Sequence, residues 1–234
     1  MTPLVQLEER LQYSFRNSDW LHRAVTHSSY LPEHPEIGES NQRLEYLGDA
    51  VLQLILSEAL FQLFPDEREG VLSKRRAVLA KGVSLVELAR ELQLDECMRL
   101  GTSEETSGGR QRASTMEDAF EALIGAIYLD SDFATVRTVV LRLYGDIEAR
   151  LCSREQDENP KGRLQEWIQP QHGNHALRYE VVAVTGEDHE RAFEVAVFLH
   201  DLELGQGRGS SKKTAEEAAA RVALEKLRSE SGES

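Results

Sequence analysis

The sequence predicts an all-α domain followed by a small α+β domain with the order α-β-β-β-α. Three observations carry this. From Leu4 to about Arg150, apolar residues recur at spacings of three and four, and no period-2 segment interrupts them. Residues 152–159 are then polar and run into Pro160, the best connecting segment in the chain. Beyond it the pattern changes to short alternating runs framed by two helical ones.

Taken in order, the helical spacing falls at Leu7-Leu11, at Leu21-Ala24-Val25, and over residues 44–64, 72–94, 119–129 and 136–151. Breaks rich in turn or charged residues fall at 32–40, 65–70 and 101–113. After the connecting segment, residues 161–171 form a helix with Leu164, Trp167 and Ile168 as its inner stripe. Strands follow at 179–185 and 192–199, the latter with Phe193, Val195, Val197 and Leu199 alternating, and a short third strand at 202–206. An Ala-rich helix over 214–228 closes the domain. Two helices in this order can cover one face of a three-stranded antiparallel sheet. The expected limits are 1–151 for the first domain, 152–159 for the linker, 160–228 for the second domain and 229–234 for a tail.

The 234 residues suit one large domain or two smaller ones, and a 40% hydrophobic content suffices for a core. The apolar stretches around 50–56 and 122–129 stop well short of the ~20 residues that span a bilayer, so no membrane partner is expected. No basic region precedes an apolar one at the N-terminus, and Cys97 and Cys152 have no metal-binding or redox spacing. A cytoplasmic protein with reduced thiols is therefore expected. The net charge of −14 speaks at first against nucleic acid, but its distribution is uneven. Residues 1–159 carry 17 basic and 28 acidic groups, whereas 160–228 carry 10 and 11. An acidic chain binds a polyphosphate when its basic groups are concentrated and cations neutralise the rest, so the charge leaves the partner open.

Two carboxylate pairs stand inside the most apolar helical runs: Glu45 with Asp49, and Asp118 with Glu121. Spacings of four and three put each pair on one helix face. Asp49 shares its face with Glu45, Tyr46, Leu52 and Gln53, so little water is expected around it. No Lys or Arg lies three or four positions away on either helix. Buried carboxylates without a partner cost several kcal/mol each or lose their charge. A hard divalent cation is the simplest way to keep all four ionised, and an all-oxygen donor set suits Mg²⁺ or Mn²⁺. The competing reading of any acidic pair at helical spacing is a solvated face.

Residues 41–52 read Asn-Gln-Arg-Leu-Glu-Tyr-Leu-Gly-Asp-Ala-Val-Leu, and 118–130 read Asp-Ala-Phe-Glu-Ala-Leu-Ile-Gly-Ala-Ile-Tyr-Leu-Asp. With Thr26-His27-Ser28, residues 69–77 and Arg99-Leu-Gly-Thr-Ser-Glu-Glu-Thr-Ser-Gly-Gly-Arg110, these resemble the ribonuclease III family through most of residues 4–150. Residues 160–228 resemble a double-stranded-RNA-binding domain. The matching pieces are Pro160-Lys-Gly-Arg-Leu-Gln-Glu-Trp, Gly186-Glu-Asp-His-Glu-Arg-Ala-Phe-Glu-Val, and the glycine-rich run through Gly205, Ser211, Lys212 and Lys213 to Ala220. The resemblance implies a homodimeric, Mg²⁺-dependent endoribonuclease of double-stranded RNA, with Mn²⁺ as a possible substitute. Its products would carry 5′-phosphate and 3′-hydroxyl ends with short 3′ overhangs, and its substrates would be ribosomal-RNA precursors and structured messenger RNAs. By matching position, Glu45, Asp118 and Glu121 resemble metal ligands, and Asp49 and Glu121 the residues on which catalysis most depends.

In the second domain, Lys212 and Lys213 open a helix, and helix-terminal amides with two ammonium groups form a phosphate clamp joined by Ser211. Gln165, Glu166 and Gln169 share an exposed helix side, and Asp188 and His189 lie in the first strand connection; the resemblance makes both groups minor-groove contacts. Together they would read shape over ~16 base pairs rather than base sequence. Two adjacent lysines taken alone read as an ordinary solvated helix start; the surrounding match favours the clamp. Trp167 reads as core. His27 reads as a hydrogen-bonded core histidine, with support of the site as the alternative. The basic stretch Lys74, Arg75, Arg76 and Lys81 either touches RNA or balances Asp66, Glu67 and Glu69. The chain departs from the family pattern at Gln42, where Glu is usual, and at Ser28, Lys81-Gly82 and Glu187. The first departure leaves open an RNA-binding protein that keeps the nuclease scaffold without its activity.

Overall fold

The computed structural model describes residues 2–173, 176–186 and 191–231, without the side chains of 155–158 and 228–231. It forms two compact units, Met1–Leu151 and Cys152–Ser234. The first contains α1 (Pro3–Leu11), α2 (Ser18–Ala24), α3 (Gln42–Leu63), α4 (Glu69–Leu79), α5 (Val83–Glu91), α6 (Leu94–Cys97), α7 (Thr102–Thr106), α8 (Ala113–Asp130) and α9 (Phe133–Tyr144). Helix α10 (Ile147–Glu158) follows. The second unit holds α11 (Pro160–His172), β1 (Leu177–Thr185), β2 (Ala192–Leu199), β3 (Leu202–Gly209) and α12 (Lys212–Ser231).

Helices α3 and α8 are the most extensively packed helix pair. Leu52, Ile55, Leu56 and Leu60 of α3 meet Phe120, Leu123, Ile124 and Ile127 of α8 in one core, all almost fully buried. Local chemistry sets the surrounding helix ends. Asn17 and Asp132 cap α2 and α9, accepting from the backbone N–H of Asp19 at 3.0 Å and Thr135 at 2.8 Å. The helical spacing over 72–94 is broken between α4 and α5 because Gly82 takes φ +58°, a left-handed value that suits glycine. Residues 152–158, polar and therefore read as connecting chain, lie within α10. Arg, Glu and Gln, which stand at 154–156, have good helix propensity even where the sequence offers no apolar stripe.

In the second unit the sheet order is β1-β2-β3, antiparallel throughout. Both helices pack on one face, where Leu164 and Ile168 of α11 meet Val197, Leu204, Ala219, Ala220 and Ala223. Trp167 packs against this cluster, in line with its reading as core. The alternation expected along β2 is less clean than the sequence suggests. Val195, Ala196 and Val197 are all fully buried, and the pairing with β3 shifts register between Val197 and Phe198. A small alanine on the open face disappears beneath its larger cross-strand neighbours. Strand β3 reaches Gly209 because α12 lies directly on it. A Cβ at Gly207 would stand 2.1 Å from Ala219 N, and one at Gly209 would stand 2.3 Å from Thr214 Oγ1.

Candidate functional site

The carboxylates sit where α3 and α8 cross, and glycine makes the crossing close. A Cβ added at Gly48 would lie 1.7 Å from the carbonyl oxygen of Glu121. One at Gly125 would lie 2.3 Å from that of Leu44. The two backbones therefore touch, which side chains at these positions would forbid. This contact carries Glu45 and Asp49, three residues before and one after Gly48, onto the turn of α8 that bears Asp118 and Glu121.

Glu121 is 8% exposed and forms no side-chain hydrogen bond or ion pair among the described residues. Burial, with the negative charges of Asp49, Glu117, Glu45 and Asp118, pushes its pKa up to about 8. Burial also raises Asp118, further raised by Glu117 and lowered by His27. Glu45 is raised by burial, then by Asp118 and Asp49. Four acidic groups from two helices thus feel one another. No Lys or Arg forms an ion pair with any of them among the described residues.

Two expectations change in detail. Asp49 is half-buried rather than dry, because Tyr46 on its face is 82% exposed; its Oδ1 accepts a hydrogen bond from Gln53 Nε2 at 2.7 Å. Among the described residues, no three His, Cys, Asp or Glu side chains are gathered at ligating distance of one point. Like charges without a cation among them repel, so this does not remove the fit. The donors are hard oxygens, no Lys or Arg among the described residues pairs with them, and the raised pKa values of Glu121, Asp118 and Glu45 show what holding them together costs. Those are the requirements a divalent cation meets.

The sequence reading missed Gly48 and Gly125, whose role appears only when two distant helices are set together. It also missed Glu117, which joins the electrostatic cluster while its Oε1 accepts from Gly82 N at 2.9 Å. Gln42 is exposed and lines a cleft of about 580 Å³ with Trp20, Arg23, Arg43 and Tyr46. The basic stretch divides. Arg75 pairs with Glu67 at 3.1 Å and stacks 3.9 Å from the Phe64 ring, and Arg76 donates to Ser57 Oγ at 2.9 Å. Lys74 and Lys81 are exposed.

In the second unit, Glu166 and Gln169 are exposed on α11 and Gln165 is half-buried. Ser211 precedes α12, and its Oγ accepts from Thr214 N at 3.2 Å, while Thr214 Oγ1 accepts from Ser211 N at 3.0 Å. This reciprocal cap sets the helix start at Lys212 rather than at residue 214. Lys212 and Lys213 project into solvent, each 3.9 Å from a glutamate one turn on, Glu216 and Glu217. Glu216 also pairs with Lys161, whose ammonium lies 4.6 Å from the Tyr179 ring centroid. Asp188 and His189 lie outside the described residues. No described helix is long and apolar enough to cross a membrane.

Residues 17–147 match the family described as Ribonuclease-III-like, and residues 160–227 the Double-stranded RNA binding motif. The chain is 43% identical over 228 residues to Ribonuclease 3 of Carboxydothermus hydrogenoformans, covering 97% of both chains. It is 46% identical over 232 residues to Ribonuclease 3 of Pseudomonas putida strain GB-1, covering 98% of this chain and 97% of that one. Among solved structures, the nuclease domain of ribonuclease III from Campylobacter jejuni matches at 40% identity and a TM-score of 0.57, over 64% of this chain and 96% of that one. The chain therefore belongs to the ribonuclease III family, the divalent-metal-dependent endoribonucleases of double-stranded RNA.

Proposed function

We propose that Glu45, Asp118 and Glu121 hold Mg²⁺, with Mn²⁺ as a substitute, and that Asp49 and Glu121 are the residues on which cleavage most depends. The observation behind this is Glu121, a buried carboxylate set among other carboxylates with no Lys or Arg paired to them among the described residues. A bound divalent cation supplies charge neutralisation at the scissile phosphate and lowers the pKa of water. The protein's own part is to fix the geometry. The Gly48–Gly125 crossing sets the spacing of the carboxylates, and Gln53 orients Asp49, at the half-exposed rim, to hold the attacking water. Hydrolysis gives 5′-phosphate and 3′-hydroxyl ends.

Ser211, Lys212 and Lys213 bind phosphates at the start of α12. Gln165, Glu166 and Gln169, with Asp188 and His189, bind 2′-hydroxyls and base edges of the minor groove. Lys212 and Lys213 are the exposed cations at a helix N-terminus, which suits phosphate.

The nuclease unit works as a homodimer. Helix α3 exposes Tyr46, Leu54 and Phe61 to solvent, Phe61 at 72%, and Leu129 lies beside Tyr46 along the same cleft. A stripe of this kind is poorly suited to water and fits a second copy. A Campylobacter jejuni nuclease-domain structure is likewise described as showing structural flexibility in a region involved in dimer formation. Paired nuclease units place two sites on one duplex, and offset cuts leave short 3′ overhangs. The protein acts in the cytoplasm on ribosomal-RNA precursors and structured messenger RNAs.

Incubation with a long RNA duplex at low salt tests the assignment. Cleavage that requires Mg²⁺ and is lost in Glu121→Ala, with duplex binding retained, is expected. Binding without Mg²⁺-dependent cleavage by the wild type would reject it and leave an RNA-binding scaffold. Sedimentation of Tyr46→Arg, expected to be monomeric, tests the dimer.

A further inference from the structure

His27 stands on a segment held from several sides. Its N–H donates to Arg99 O at 3.0 Å, and Arg99 N donates to Val25 O at 2.8 Å, making a short parallel bridge between two loops. The carbonyl of Thr26 accepts from Asn41 N at 2.8 Å, tying the segment to the residue that starts α3, one turn before Glu45. On the other side Gly101 N donates to Ser29 Oγ at 3.0 Å. The approach there is so close that a Cβ at Gly101 would lie 2.2 Å from Ser29 O. The backbone of Thr102 and its hydroxyl both donate to Glu33, each at 2.7 Å.

This clasp also fixes the proton on the ring. Ser29 N donates to His27 Nδ1 at 3.3 Å, and Ser29 Oγ lies 2.8 Å from the same nitrogen. Because Ser29 Oγ already accepts from Gly101, its hydrogen is free to point at Nδ1. A nitrogen that accepts two hydrogen bonds carries no proton, so the neutral imidazole is protonated at Nε2. Among the described residues that N–H finds no acceptor. The ring is half-buried, and the bond from Asn41 N to the neighbouring Thr26 O sets its segment against the start of α3, the helix that carries Glu45 and Asp49.

His27 Nε2 is not among the buried polar atoms left without a partner, so this held donor is open to solvent, where an arriving acceptor can take the place of water. Next to a site that hydrolyses phosphodiesters, the acceptor that arrives with the substrate is a phosphate oxygen.

We propose that His27 is a substrate contact of the nuclease site, its Nε2–H donating to a non-bridging oxygen of the RNA backbone beside the phosphodiester that is cut. This rests on the assignment of the carboxylate site given above. The ring's two nitrogens separate it from a purely structural role. Asn at this position keeps an acceptor where Nδ1 stands and loses the distal donor; Gln keeps a distal N–H and loses the near acceptor.

The test compares full-length wild type, His27→Asn, His27→Gln and His27→Ala for kcat and KM on an RNA duplex in Mg²⁺, with Tm measured alongside. His27→Asn is expected to keep a Tm close to wild type and lose about ten- to a hundredfold in kcat/KM, the loss for a hydrogen bond to a charged group. His27→Gln is expected to recover most of that loss even if its Tm falls. Wild-type kcat/KM in a folded His27→Asn chain overturns the proposal. Activity that follows Tm across all three variants also overturns it, since that is the signature of a structural histidine. A wild type that cuts no duplex in Mg²⁺ overturns the nuclease assignment itself, and this contact with it.

Discussion

Glu121 and Asp130 lie on the same helix, α8, and each is 8% exposed. Asp130 accepts from the Tyr13 hydroxyl at 2.6 Å and from the backbone N–H of Arg16 and Asn17 at 2.8 and 2.9 Å. Burial pushes its pKa upward, yet these donors hold it below the ordinary carboxylate range. Glu121 receives no such donor among the described residues and faces four other acids, so burial and repulsion push it up to about 8. One carboxylate is finished by the protein and knits the link between α1 and α2 to the end of α8. The other is left incomplete, and it is there that the proposed cation would bind. The two residues expose equal fractions of their surface, but the Glu121 carboxyl lies deeper; depth and the number of partners together separate scaffold from site.

The largest expected effect breaks the comparison by swapping charge for amide. Glu121→Gln should reduce duplex cleavage by roughly a thousandfold or more, with a Tm equal to or above wild type because repulsion is relieved. Asp130→Ala should do the reverse, costing about 2–4 kcal/mol of stability by stranding its donors while the folded fraction cleaves normally. Initial rates and denaturant unfolding of both variants decide it; a fully active Glu121→Gln ends the assignment.

Next in size is the crossing that brings the acids together. Gly48→Ala drives a methyl group into the backbone of α8, and the helices must separate. A loss of about 3 kcal/mol and a marked fall in cleavage are expected, whereas the Asp130 hydrogen bonds stay intact. Wild-type unfolding of Gly48→Ala would show that the contact is not as tight as described.

The pH dependence sharpens the contrast because the two shifts have opposite signs. Glu121 is protonated in both folded and unfolded chains below its ordinary value of 4.5, so it costs nothing there. Between that value and about 8 the unfolded chain ionises first, and folding loses stability as pH rises. Asp130 contributes stability above its unfolded pKa and loses it as pH falls through the lowered folded value. In divalent-free buffer, Tm should therefore decline between pH 5 and 8 in wild type, and less so in Glu121→Gln. Identical slopes in the two chains would contradict this. The smallest effect lies in the second unit: Lys212→Ala should reduce the salt slope of duplex binding by about one and leave cleavage at low salt nearly unchanged.

The sequence made the acids legible and hid what surrounds them. Glu45 with Asp49, and Asp118 with Glu121, stand out because helical spacing and apolar neighbours are local properties. The partners of Asp130 are not local: Tyr13 and Asn17 lie more than a hundred residues earlier, so nothing beside Asp130 distinguishes it from Glu121. The same holds for Gly48 and Gly125, ordinary glycines until two helices meet. The α-β-β-β-α order was readable because its pattern repeats every two or every three to four residues. The reach of β3 to Gly209 was not, because only the closeness of α12 explains glycines that would otherwise signal a loop. His27 shows a further limit: its hydrogen-bonded character could be weighed, but the direction of its free N–H required Ser29 and Gly101 to be in place.

The central claim is that acids from α3 and α8 form one cation site. Titration of the full chain with Mn²⁺ at moderate salt, free ion followed by electron paramagnetic resonance, addresses it without RNA or turnover. Wild type should show a site that is weakened by about tenfold or more in Glu121→Gln and equally in Glu45→Gln, one change on each helix. Superimposable isotherms for wild type and both variants would contradict the account.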